Sequence, residues 1–560
     1  MVVTVEARAV DARRPIKVIV VGAGVSGIIA GIRFPQRIPN LDLVIYEKNS
    51  DVGGTWYENK YPGVACDVPA HSYQLSFDPN PNWSQFYASG REIHQYWKAI
   101  VQKYGVDKYV RLNSKIVEAR FDEVEAKWQV KIQRVDTGDI FTDSSEILYA
   151  CIGALNEWKW PDIKGLQDFK GLSLHSAHWD DNWDPTGKAV AVIGSGSTAV
   201  QIVPSLQPKV KQLDTYVRSK TWISPPFASG EVQKHLEETN FTFSEEEVKR
   251  FNEDPQFFLE YRKAIDQELQ SLHHITFRGP SADAIAAYLN EYMKEKLTKK
   301  PEILQKLLPD FLPGCRRITP GSAYLNALTQ DNVNFISEEI SFITAEGVIT
   351  TDGILHPVDA LICATGFDTT WTGRFPIFGR GGRKLADKWA EYPETYLSVA
   401  TDEFPNMFIS LGPNSEQGTG SLSIVIEKVG EYVCAAVEKI QREGITTMTA
   451  KRASVESFVE FCDQYFAETV FSLPCRSWYK RGTSEGRVSG MWPGSSLHFI
   501  TTLANPRWED YEYEYVNGNV MAWLGDGFTE AQKIPEADRT YYLDPENIDF
   551  PEPMRSSTEV

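Results

Sequence analysis

Two glycine-rich runs and the charges that follow them carry the first chemistry. Gly22-Ala23-Gly24-Val25-Ser26-Gly27 lies between the apolar run 17–21 and the apolar run 28–34. Strand, tight turn and helix, in that order, form the context in which G-x-G-x-x-G binds a dinucleotide. The glycines let backbone approach a pyrophosphate, and the helix N-terminus supplies N–H donors and a positive dipole. A second apolar run ends at Glu47, twenty residues after Gly27. A carboxylate there accepts from ribose hydroxyls and repels a 2′-phosphate, so this loop is expected to hold the adenosine of FAD and not NADP. Further along, Gly194-Ser195-Gly196-Ser197-Thr198-Ala199 repeats the pattern with alanine in place of the third glycine, and Gln201 follows two residues on. Its next strand-like run ends in Arg218-Ser219, nineteen residues after Ala199. An arginine fork matches a phosphate dianion, so the second loop is expected to select NADPH over NADH.

Between the two loops lies Phe169-Lys-Gly171-Leu-Ser-Leu-His175-Ser-Ala-His-Trp179-Asp180, which reads F-x-G-x-x-x-H-x-x-x-W-D. After the first loop comes Gly53-Gly54-Thr55-Trp56, continuing to Tyr61-Pro62-Gly63 and Asp67 in the pattern G-G-x-W-x-x-x-x-Y-P-G-x-x-x-D. Together these resemble the motifs of the type I Baeyer–Villiger monooxygenases, which use FAD, NADPH and O2. Relatives that oxidise soft N and S atoms usually end the first pattern in another aromatic, so Trp179-Asp180 favours the Baeyer–Villiger side.

The resemblance implies roles for further residues. Phe311-Leu-Pro-Gly-Cys-Arg316-Arg317 is similar to the family segment F-G-x-K-R. Arg317 matches the arginine that contacts the flavin peroxide, and Arg316 stands where relatives carry a lysine for the 2′-phosphate. Asp67 is implied to lie near the flavin and to orient Arg317. A bare Arg-Arg pair would otherwise read as a solvated surface patch. Gly54 and Thr55 can bring backbone against the FAD phosphates, Trp56 offers a flat wall and Tyr73 is an implied flavin neighbour; Ser26, Lys48, Val68, Ile116 and Leu422 are implied cofactor contacts. Trp478, in the segment Ser477-Trp478-Tyr479, is implied to contact NADP and border substrate. The sequence departs from relatives at Ala65, where many carry arginine, and at Ser421-Leu422, where many carry Asn-Met. The segment Pro69 to Tyr73 resembles fungal members acting on polyketide-type ketones; His71 within it reads as a satisfied loop histidine. The reaction implied is attack of a C4a-peroxyflavin on a ketone, giving an ester or lactone. The catalytic pair would be Arg317 and Asp67. A heteroatom-oxidising flavin monooxygenase or an uncoupled NADPH oxidase of the same fold is the alternative, and a flavin-binding scaffold without catalysis is a third reading.

These residues need a frame to position them. At 560 residues the chain exceeds one simple core. The expected class is α/β, with two Rossmann-like dinucleotide-binding domains (FAD and NADPH) and a helical insertion. The FAD-binding domain is expected over 1–155 and again over 358–534. The NADPH-binding domain is expected over 156–228 and 313–357, the polar helical insertion over 229–312, and a tail over 535–560. The alternating stretch 510–525 around Asn517-Gly518 reads as a hairpin. The run 482–496, rich in Gly and Ser, reads as a mobile loop closing on substrate.

The formal charge of −19 argues against nucleic acid and against an anionic membrane surface as partners. No apolar run is long enough to span a bilayer. The first 20 residues lack an apolar signal core, and the seven scattered cysteines include no C-x-x-C. A reducing cytoplasmic setting is the simplest expectation, with no metal and with O2 and a small-molecule substrate, a bulky polycyclic or polyketide-derived ketone, as partners.

Overall fold

The computed structural model describes residues 5, 7–235, 239–372 and 374–551. Two parallel five-stranded sheets organise it. The first runs Met407–Ile409, Ile147–Ala150, Ile16–Val21, Leu41–Tyr46, Val110–Arg111, all parallel. Parallel sheets are covered on both faces, and Ile16–Val21 accordingly reads as a near-continuous apolar run. One face is covered by helices Val25–Arg37 and Leu422–Arg442, with Phe34 stacked on Tyr149 at 5.5 Å. The other is covered by the antiparallel strands Ser114–Asp122, Lys127–Arg134 and Ile140–Ser145, whose Phe121, Trp128 and Ile116 share a core with Ile19 and Val44.

The second sheet runs Val333–Ile336, Gln212–Tyr216, Ala189–Ile193, Ala360–Cys363, Leu172–His175, again all parallel. Helices Ser197–Leu206 and Ser322–Leu328 cover one face, and a small antiparallel sheet spanning Ile340 to Pro357 covers the other. Each sheet thus takes its last strands from sequence far beyond its first.

The polar stretch after residue 228 is helical, as its spacing predicts, and it touches both cores. Helices Pro280–Lys296 and Glu302–Leu307 bury Leu289, Met293, Ile303 and Leu307 against the second sheet's core. Helices Glu245–Glu253 and Pro255–Ser271 bury Phe251, Phe258, Ile265 and Leu269 in the first.

Three features differ from the sequence reading. No hairpin forms around Asn517-Gly518: Tyr511–Tyr515 instead pairs antiparallel with Ile445–Ala450, and the chain beyond Asn517 continues as short 3₁₀ turns. The partner strand was simply distant in sequence. The run 482–496 is tied down, with Ser489 and Gly490 N–H groups both donating to the Tyr479 carbonyl at 2.9 and 3.0 Å. Cys315 and Cys475 form a disulfide across 160 residues, which scattered cysteines without a C-x-x-C do not announce. Of the tail, residues 535–551 lie almost wholly exposed, and 552–560 fall outside the described residues. Among the described residues no helix is long and apolar enough to cross a membrane.

Candidate active site

The first glycine loop and the Gly53-Gly54 turn form one cradle. Gly54 has a left-handed φ of 54°, and a Cβ there would lie 2.9 Å from the Gly24 Cα. Two backbones therefore meet with no side chain between them, beside the start of helix Val25–Arg37, whose N-cap Gly24 offers no capping side chain. N–H groups left open at that helix start suit a pyrophosphate. Glu47 is buried, and its carboxylate accepts from Ala23 N–H at 2.7 Å and Asn49 N–H at 2.8 Å. Burial raises its pKa, and these two amides oppose the shift. Each oxygen keeps a lone pair for a ribose hydroxyl. These residues fit the adenosine diphosphate portion of FAD.

Trp56 and Tyr73 form an edge-on wall, with the indole N–H donating to the Tyr73 oxygen at 3.3 Å. Ser26 is paired with Ser410 at 2.8 Å. Lys48 is held by Glu58 and Asn156, each at 3.0 Å, so its charge is already partnered. Val68 is half-buried next to Asp67, Ile116 sits in the core beneath the first sheet, and Leu422 begins the long helix.

At the second loop, Gly196 caps helix Ser197–Leu206 with open space where a side chain would sit. Ser195 donates to the Ser219 carbonyl at 2.9 Å, and Ser197 meets Thr319 at 3.0 Å. Thr198 and buried Ala199 lie in the first turn of this helix. Arg316 donates to the Lys220 carbonyl at 3.0 Å, bringing it beside Arg218. Its pKa is lowered by burial and then by the charges of Arg218 and Arg476. Three arginines close enough to act on one another suit a dianion such as a 2′-phosphate. Arg476 was missed in the sequence; it lies two residues before Trp478, and only the fold brings it here.

Gln201 does a different job. Its amide accepts from the Tyr61 hydroxyl at 2.8 Å and donates to the Ala65 carbonyl at 3.0 Å. A Cβ on Gly63 would lie 2.6 Å from the Gln201 carbonyl oxygen, so glycine is required where this loop meets the second sheet's helix. The side chain of Gln201 thus fastens the two nucleotide-binding regions together.

Between the cradles, Arg317 and Asp67 form a two-pronged ion pair. Nε donates to Oδ2 at 2.9 Å and Nη2 to Oδ1 at 2.7 Å. Asp67 rides a loop laced to residues 86–90, with Cys66 N–H to the Ala88 carbonyl at 3.1 Å and Gly90 N–H to the Val64 carbonyl at 2.8 Å. The pairing across 250 residues fixes the guanidinium plane while 38% of the Arg317 side chain stays exposed. Asp67 raises the arginine's pKa further above its ordinary value, so the group is a permanent cation. Tyr479 and Glu416 also act electrostatically on Arg317. Neither was singled out in the sequence, because neither lies near the arginine in the chain. Trp478 is half-buried and packs on Tyr479 at 4.8 Å.

The histidines divide. His175 is fully buried and stacked on Trp158 at 4.6 Å; its Nδ1 accepts from Ala177 N–H at 3.1 Å, and Nε2 faces Thr365 at 3.4 Å. Burial lowers its pKa to about 4, so it is neutral at physiological pH. It sits where Leu172–His175 pairs with the return strand Ala360–Cys363. His71 corrects the expectation of a satisfied histidine. It is buried among Phe243, Phe251, Phe258 and Tyr261, and neither ring nitrogen has a hydrogen-bond partner. Among the described residues no group of three or more His, Cys, Asp or Glu is placed to hold a metal.

Comparison with known proteins adds to this geometry. Residues 20–89 match the NAD(P)-binding Rossmann-like domain family. The chain is 37% identical over 535 residues to the FAD-binding monooxygenase tazF of Aspergillus terreus, covering 95% of each chain. It is 34% identical over 491 residues to a Baeyer–Villiger monooxygenase of Pseudomonas aeruginosa, covering 87% of this chain and 89% of that one. Among solved structures it is similar to cyclohexanone monooxygenase from Rhodococcus sp. Phi1 bound to NADP+, with a TM-score of 0.78, 26% identity, and coverage of 90% of this chain and 100% of that one.

Proposed function

The chain belongs to the FAD-binding monooxygenase family that includes the type I Baeyer–Villiger enzymes, and on that premise we propose that it inserts one oxygen atom of O2 beside the carbonyl of a bulky ketone, giving an ester or lactone. FAD and NADPH are its cofactors. The observation that carries the reaction is Arg317, a cation held rigid by Asp67 yet open on its remaining side. Oxygen insertion beside a carbonyl puts negative charge on oxygen. A cation whose position is fixed beforehand stabilises that charge without reorganisation. Asp67 takes two guanidinium donors and leaves the others for the reacting oxygen.

Bound FAD would supply reduction by NADPH and activation of O2. The Gly24–Gly54 cradle and Glu47 would hold its adenosine diphosphate portion, and the Trp56–Tyr73 wall would border the ring system. Arg218 and Arg316 would hold the 2′-phosphate of NADPH, joined by Arg476. Trp478 and Tyr479 would wall the substrate side and keep water from Arg317. The substrate class, a polycyclic or polyketide-derived ketone of fungal secondary metabolism, is supported by the resemblance of Pro69 to Tyr73 to fungal members acting on polyketide-type ketones.

The test is mass spectrometry of products formed under isotopically heavy O2 over a panel of small and bulky ketones. One heavy oxygen in an ester or lactone is expected, with bulky ketones giving tightly coupled NADPH use. Fast, coupled oxidation of cyclohexanone with no turnover of larger ketones would remove the substrate class and leave the reaction. NADPH use with no ketone-dependent product would remove the reaction.

His175 serves to join the two halves in this scheme. His175→Ala deletes the stack on Trp158 and a buried acceptor, a change of about 1–3 kcal/mol. Flavin reduction by NADPH is expected to slow several-fold, read by stopped-flow absorbance. Normal reduction with loss of only the oxygen-insertion step would assign His175 to the chemistry instead.

A further inference from the structure

Cys315 and Cys475 each stand one residue before an arginine. The bond between them sets their Cα atoms 6.3 Å apart. Consecutive Cα atoms are about 3.8 Å apart, so those of Arg316 and Arg476 lie within about 14 Å of each other. Two side chains as long as arginine can meet one anion across that span.

Each cysteine belongs to a segment that is fixed on its own. On the first side, Thr319–Pro320 pairs parallel with Ile223–Ser224, and Arg316 donates to the Lys220 carbonyl at 3.0 Å. Arg316 is thereby tied to the stretch that carries Arg218 and Ser219, whose Ser219 carbonyl accepts from Ser195 of the second glycine loop. On the other side, residues 476–483 close on themselves. Gly482 N–H donates to the Ser477 carbonyl at 2.8 Å, Arg476 Nε to the Gly482 carbonyl at 2.9 Å, and Thr483 N–H to the Lys480 carbonyl at 3.1 Å. This knot carries Arg476 and Trp478 together. The disulfide is the covalent link between the knot and the coenzyme side.

Charge gives that link its consequence. Among the described residues Arg218, Arg316 and Arg476 form no ion pair with a carboxylate, whereas Arg317 is paired with Asp67. Like charges gathered without counter-ions repel, so each is drawn outward when no anion sits between them. A crosslink that holds two of them keeps the site arranged for a dianion before it arrives. Such preorganisation raises affinity, because the groups need not be gathered on binding. Both sulfurs are buried, which shields the link from thiols in solution.

We propose that the Cys315–Cys475 bond is a positioning element of the NADPH site, holding Arg476 beside Arg316 so that the two share the 2′-phosphate of the coenzyme. NADH lacks that phosphate and has nothing to gain from the link. The inference rests on the reading of Arg218 and Arg316 as the 2′-phosphate site, and it adds what holds that site together.

The test uses the full-length, FAD-loaded protein. Non-reducing peptide mass mapping should find one peptide pair crosslinked through Cys315 and Cys475, with the other five cysteines free. Finding all seven thiols free would overturn the inference. Steady-state oxidation of NADPH and NADH is then compared. Cys475→Ser should raise KM for NADPH about five- to tenfold, with KM for NADH moved by less than about twofold and kcat at saturating NADPH kept. A bond serving stability alone would lower the melting temperature and leave the ratio of the two KM values unchanged, and that result also overturns the inference. Because the link acts through Arg476, Cys475→Ser in an Arg476→Ala background should change KM for NADPH little further. Effects that multiply independently would count against it in the same way. If Cys475→Ser does not fold, wild type reduced by dithiothreitol takes its place and should show the same split; the reagent closes to its cyclic disulfide as both cysteines become thiols, which are counted. Equal KM for NADPH and NADH in the wild type, with the crosslink present, would instead overturn the 2′-phosphate reading and take this role with it.

Discussion

Arg317→Ala is expected to abolish ester or lactone formation while leaving a protein that still binds FAD and still consumes NADPH. The two-pronged pair with Asp67 holds one fixed cation, and in the proposed reaction that cation meets the charge developing on oxygen. Removing a donor of that kind typically costs about 3–4 kcal/mol, or 10²–10³ in rate. NADPH oxidation should persist because neither the Gly24–Gly54 cradle nor the Arg218–Arg316 pair depends on Arg317. Its electrons should appear as hydrogen peroxide, measured in parallel with product. Arg317→Lys should rescue little, since one ammonium cannot meet both Asp67 oxygens in a planar fork. Near-normal product yield from Arg317→Ala would refute the assignment and shift attention to Arg316. That neighbour points the other way, to the Lys220 carbonyl, and Arg316→Ala should keep product formation at saturating coenzyme.

The second large effect concerns coenzyme choice. Arg218→Ala should raise KM for NADPH about tenfold or more while moving KM for NADH little. A charge-assisted hydrogen bond contributes roughly 1.5–3 kcal/mol, which corresponds to that range. Arg476 joins the expectation because its charge acts on Arg316 together with that of Arg218. The double variant Arg218→Ala/Arg476→Ala should therefore lose more discrimination than either alone. Equal loss with NADPH and NADH would mean that the cluster serves the pyrophosphate or the fold. Steady-state kinetics with both coenzymes separates these outcomes.

The two glycine turns were legible because local rules govern them. A strand, a glycine turn, a helix and a charge about twenty residues on fall within one short stretch, and the fold sets Glu47 against Ala23 and Ser219 against Ser195. The insertion was legible from its helical spacing. What escaped was long-range. Tyr511–Tyr515 pairs with a strand more than sixty residues earlier, and nothing in its own alternation names that partner. Arg476 carries no local signal, and only the fold brings its charge to act on Arg316. Gln201 follows the second loop closely enough to pass for a nucleotide contact, yet its amide is spent on Tyr61 and Ala65. His71 looked satisfied because loops usually expose polar atoms to water; here phenyl rings from the insertion surround it.

The Cys315–Cys475 bond joins the segment bearing Arg316 and Arg317 to the one bearing Arg476 and Trp478, and both sulfurs are shielded from solvent. Two stretches that the chain separates by 160 residues thus share one covalent anchor, and they cannot part there while the bond stands.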